Sequence, residues 1–176
     1  MRINETRSSS RARLALMIGG TGLLTIIGAL AILIASGKLT QSARQEMVHE
    51  MGSAVMPFDL NRTTHMFKTT DTGGIETVIA KDPTDSQQIA LIQQHLQHEA
   101  MQFRAGDFGD PATIHGTTMP GLSELAASAA NITFSYASLS DGAEISYATN
   151  DPILVDALHR WFAAQLADHG HDAMGQ

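Results

Sequence analysis

Cysteine is absent from this 176-residue chain. That excludes disulfide staples, thiolate zinc sites, iron–sulfur clusters and cysteine nucleophiles, and it leaves the redox compartment open. Aromatic residues are scarce, 5% of the chain with a single Trp, so a core must be assembled from aliphatic residues, Ala and Met. Basic residues are thin where they matter. Four of the 11 Lys+Arg and one of the 18 Asp+Glu precede Ser36, which leaves 7 and 17 beyond it, a formal charge of −10. An acidic domain lacks the positive surface that phosphate contacts need, which argues against nucleic-acid binding and against adsorption to anionic lipid. The familiar catalytic signatures are missing too: there is no GxSxG, HExxH, Walker loop or GxGxxG in a suitable context. Gly19-Gly-Thr-Gly22 resembles a nucleotide loop only superficially, because it lies inside an apolar run.

That run is the strongest feature present. Leu14 to Ala35 reads LALMIGGTGLLTIIGALAILIA without a charge. At a rise of about 1.5 Å per residue it reaches roughly 33 Å, enough to span a hydrocarbon core. Arg2, Arg7, Arg11 and Arg13 precede it, so the positive-inside rule keeps the N-terminus in the cytoplasm. The expected order is a cytoplasmic tail (1–13), a transmembrane anchor (14–35), a stalk helix (36–54), a periplasmic α+β domain (55–170) and a C-terminal tail (171–176). The location is the inner membrane, single-pass. Cleavage after Ala35 as a signal peptide is the alternative, and the length of the run favours retention.

Within the domain two blocks share one order. His65 to Thr70 and Ile75 to Ala80 flank a turn at Asp71-Thr-Gly-Gly74, which reads as a hairpin. Asp82-Pro83 and Asp85 then open a helix to about Phe103, with Ile89, Ile92, Leu96, Ala100 and Phe103 on its apolar face. Ile132 to Tyr136 and Ala143 to Tyr147 flank Ser140-Asp-Gly142, and Asp151-Pro152 opens a second helix that Gly170 stops. The expected fold class is α+β: two ββα repeats, four antiparallel strands covered by helices. Gly106 to Gly121, rich in Gly, Pro and Asp, reads as a long loop of the functional kind, followed by a short helix from Leu122 to Ala130.

Eight His and nine Met are the unusual counts. Imidazole is the commonest metal ligand, and Met thioether suits Cu(I). His95 and Glu99 stand four apart on one helix face, a spacing that supplies two ligands, a His with its orienting carboxylate, or an ordinary boundary ion pair. His115 and Met119 stand four apart in the central loop. They can converge on copper or a haem iron, or plug the core and bond loop carbonyls. His65 and Met66 open a strand, so only one of them can face a given site. Asp107 and Asp110 suit turns or hard cations. His169 meets the helix C-terminal dipole, His171 belongs to the tail, and His49 and His159 read as solvated. The candidate metal ligands are His65, His95, Glu99, His115 and Met119, with copper the expected ion.

VMPFDLNRTTHMF, GDFGDPATIHGTTMPGL and ATNDPILVDALHRWFAAQLADHG resemble blocks of a family of small membrane-anchored proteobacterial proteins. The likeness runs from about Val55 to Gly170. Members of that family often carry the label aspartate carbamoyltransferase. That enzyme has nearly twice the length, two α/β domains and a Ser-Thr-Arg-Thr loop, whereas the nearest string here is Asn61-Arg-Thr-Thr64, so carbamoyl transfer is not expected. The leading expectation is a membrane-tethered periplasmic metal-binding protein. The alternatives are a structural accessory subunit that binds a membrane protein partner, and an enzyme with His115 or His95 as general base beside Asp107 or Asp110.

Overall fold

A computed structural model describes residues 41–175. The expected cytoplasmic tail and anchor, 1–35, lie outside the described residues. Among the described residues no helix is long and apolar enough to cross a membrane.

Both expected hairpins form. β1 (Thr63–Thr70) pairs antiparallel with β2 (Gly73–Ala80), His65 opposite Val78 and Phe67 opposite Glu76. β3 (Thr133–Ser138) pairs antiparallel with β4 (Gly142–Ala148). Alternation decides the faces: Thr63, His65 and Phe67 are buried, whereas Thr64 and Met66 turn to the other side. β2 and β4 then join the hairpins antiparallel, with Glu76 opposite Ile145.

The sheet has five strands in the order β3-β4-β2-β1-β5, not four, and it is mixed rather than wholly antiparallel. The extra strand, β5 (Ala173–Gly175), runs parallel to β1, with Ala173 opposite His65. Three residues carry no readable period, so a pattern search assigns them to the tail. They form a strand because β1 otherwise presents a row of unpaired backbone groups at its edge.

The first helix, α1, covers residues 41–55, and its Val48 is fully buried. Ala43 onward belongs to one compact unit with the sheet. α2 (Ser86–Arg104) starts at Asp85, whose side chain accepts from Gln88 N. The long central loop is a second departure from expectation, because it contains α3 (Gly109–His115). Its Gly and Pro content hides the helix, yet Pro111 falls in the first turn, where no N–H is needed. Asp107 Oδ1 accepts from Gly109 N at 2.9 Å just before it. The short helix that follows, α4 (Leu122–Ala127), gives way to a 3-10 turn, Ala129–Asn131. α5 (Pro152–His169) starts at Asp151, which accepts from Ile153 N, and ends at Gly170 with a positive φ of 57°.

The two long helices cover the same face of the sheet, each over the hairpin of the other repeat: α2 lies on β3 and β4, α5 on β1, β2 and β5. The core between them holds Trp161, Tyr147, Phe103 and Phe162, all essentially inaccessible. Gly121 seats α4 against α5. Its φ is +83°, and a Cβ there would lie 2.2 Å from the carbonyl oxygen of Ala157. Gly121→Ala is therefore expected to destabilise the domain by about 2 kcal/mol or more, read as a lowered urea midpoint. An unchanged midpoint would show that this close approach is unimportant.

Candidate functional site

Helical and strand periodicity carry polar side chains into the core at one place. On α2, His95 and Glu99 lie on the buried face, beside Ile92 and Leu96. On α5, Trp161, Gln165 and His169 follow each other at four-residue steps, so they share one buried face. β1 contributes His65, β2 contributes Glu76, and the last residue of α3 is His115. These eight side chains, together with Met56 just beyond α1, line a single cavity of about 20 Å³. That is room for one or two water-sized occupants.

The imidazoles form a chain of ring contacts. His65 stacks on His169 with centroids 5.2 Å apart, and His115 meets His169 edge-on at 5.0 Å. Phe58 touches both His65 and His95, at 5.9 and 5.6 Å. Behind His115 stands a carboxylate: Nδ1 lies 2.9 Å from Asp168 Oδ2. A carboxylate only accepts, so Nδ1 carries the proton and Nε2 keeps its lone pair. Asp168 is itself held by Arg44 of α1, which donates through Nε at 3.0 Å and through Nη2 at 2.6 Å. The same guanidinium donates to the backbone oxygen of His115 at 2.7 Å. The helix that leads out of the N-terminal segment thereby fixes the orientation of a ring inside the cavity.

Burial sets the protonation states. It lowers His95 and His169 to about 4, and it pushes His65 well below and His115 below the ordinary 6.5. All four rings are therefore neutral lone-pair donors at neutral pH. Burial raises Glu76 to about 7 even though the Tyr147 hydroxyl donates to it at 2.6 Å. Burial, reinforced by Glu76 and Asp110, raises Glu99 well above its usual range. Desolvation opposes ionisation of Asp168 as well, but hydrogen bonds from Arg44 and His115 outweigh it and hold that carboxyl low.

Among the described residues three buried side-chain polar atoms have no hydrogen-bond partner, His95 Nε2, Trp161 Nε1 and Gln165 Oε1, and all three residues line this cavity. His95 Nε2 lies 3.7 Å from Glu99 Oε2, too far for a hydrogen bond. The i,i+4 pair is thus fully inside rather than at a solvated boundary.

Of the five expected ligands, His65, His95, Glu99 and His115 come together here, and Met119 does not. It sits in the hydrophobic core with Leu122 and Trp161. Met56 is the thioether that reaches the cavity. Sequence reading missed His169, Glu76 and Asp168. The Trp161–Gln165–His169 ladder was a visible signal for the first, since four-residue steps from a Trp mark a buried face. Glu76 and Asp168 had none, because their partners are distant in sequence. His98 is exposed, and His171 is almost fully so. His49 and His159 are half-buried rather than solvated: His49 pairs with Asp172 at 3.0 Å, and His159 Nε2 donates to the Thr70 and Gly73 carbonyls at the β1–β2 turn. Asp107 accepts from Gly109 N in the turn before α3, and the partner of His115 is Asp168. Among the described residues no three His, Asp or Glu side chains stand as a ready-made metal-holding set. The chain matches no family model, no curated protein and no solved structure.

Proposed function

We propose that this chain is a membrane-tethered periplasmic metal-binding protein, and that copper is the ion its donors suit best. One observation carries the reading: four neutral imidazoles from four separate elements face one small buried cavity. Burying a polar group without a partner costs about 1–3 kcal/mol, so the orphaned His95 Nε2 points to an occupant. A cavity of about 20 Å³ has room for a water-sized occupant. With metal–nitrogen distances of about 2.0–2.1 Å, ligand rings around one ion have centroids about 5 Å apart. The His65–His169 and His115–His169 spacings, 5.2 and 5.0 Å, are of that size. Closure onto an ion is left to rotation of the side chains. Met56 adds a soft donor that favours Cu(I) over hard cations. The uncharged run at 14–35 and its preceding arginines support the tether and the periplasmic side.

The test uses the only Trp of the chain, which lines the cavity. Copper added to the metal-free protein is expected to quench Trp161 fluorescence with an endpoint at one equivalent. His65→Ala, His115→Ala and His169→Ala should each weaken binding at least tenfold, about 1.4 kcal/mol. Stoichiometric binding that survives all three substitutions would sink the site. No binding of copper or zinc would sink the function.

A further inference from the structure

Coordination of an ion accounts for His95 Nε2 but not for the other two orphaned atoms. The Trp161 indole N–H can only donate, so no cation satisfies it; it requires an acceptor. Gln165 Oε1 can only accept. Both atoms are buried without a protein partner, and the two residues are 0% and 5% exposed. They stand one turn apart on one face of α5, and both line the cavity. A ligand serving them must accept one hydrogen bond and donate another within a space of about 20 Å³. Water, or an ion-bound hydroxide, has that valence and that size.

We infer that the cavity holds one exchangeable water-sized oxygen ligand that accepts from Trp161 Nε1 and donates to Gln165 Oε1. When an ion is present, that oxygen completes its coordination. The second statement rests on the metal-binding reading; the first needs only the cavity. The consequence for function is specific. A closed storage site fills every coordination position with protein atoms, whereas a position kept for an exchangeable ligand is the mark of an open site, at which a small molecule can replace water.

Two measurements separate the statements. In the metal-free protein the Trp161 indole gives a single proton–nitrogen resonance, and its magnetisation transfer with water reads the ligand directly. Transfer through a bound, long-lived water is expected. Gln165→Leu should speed release of that water about tenfold, the effect of one lost hydrogen bond, with the fold unchanged by circular dichroism. An indole proton shielded from water in the wild-type chain would overturn the ligand site. In the Cu(II)-loaded protein, longitudinal relaxation of bulk water protons should exceed that of the same protein carrying Zn(II), and Trp161→Phe should reduce the excess. No excess, with the indole contact intact, would make the water a filler away from the ion. If copper does not bind at all, the metal reading and the coordination statement fall together, and the indole measurement still decides the ligand site.

Discussion

Lowering the pH of the metal-free domain below about 6.5 is expected to lower its stability. His95 and His169 are held at about 4 in the fold against an ordinary 6.5. The unfolded chain takes up these protons near 6.5, and the folded chain refuses them until about 4. Stability is therefore intact above 6.5 and is lost as pH falls towards 4. At about 1.4 kcal/mol per pKa unit, each ring is worth up to about 3 kcal/mol across that window. His65 and His115 act in the same direction. Glu76 works the opposite way. Raised from 4.5 to about 7, it contributes fully below 4.5 and loses that contribution as pH rises through 7. Glu99 shares its direction. Four His against two Glu leave a net fall on the acid side and a shallower fall on the alkaline side, with a maximum near neutrality. Urea midpoints at pH 7.5, 6.5 and 5.5 test this. His169→Leu should flatten the acid limb, and Glu76→Gln should flatten the alkaline one while Tyr147 keeps its acceptor. An acid limb between pH 6.5 and 5.5 as steep in His169→Leu as in wild type would refute the buried neutral cluster.

Asp168→Asn is expected to weaken copper binding by about 10–100-fold, although Asp168 does not face the cavity as a ligand. The carboxylate holds the proton on His115 Nδ1 and joins that ring to Arg44. An amide can still accept from one neighbour, but it carries no charge to hold the guanidinium and does not raise the basicity of Nε2. Asp156→Asn provides the control. It lies on the same helix and pairs with Arg160 at an exposed position, so affinity should not move. A chelator-competition titration reads both variants. Equal affinities for wild type and Asp168→Asn would mean that His115 is oriented by packing alone, and the tie between α1 and the cavity would lose its role.

The two ββα repeats were legible because each rests on local periodicity. Alternation in 63–70 and 142–148, the Asp caps at 85 and 151, and the apolar face of α2 are properties of neighbouring residues. Three features escaped this reading. α3 lies in a segment whose Gly and Pro resemble a loop, and β5 is too short to show a period. The inward placement of His95 and Glu99 was hidden because their spacing suits a surface ion pair equally well.

The residues alone determined the acidic charge beyond Ser36, the absence of thiol chemistry, the uncharged run before the domain and the order of the two hairpins and the two long helices. Each follows from composition or from a period of two or about 3.6 residues. Only the tertiary structure decided which His meet. His65 reaches His169 because β5 returns along β1 and brings the end of α5 with it. His115 joins them through an Asp168 that Arg44 holds from more than a hundred residues away. Periodicity specifies the face on which a side chain lies, and contacts at that sequence separation depend on how whole elements are stacked.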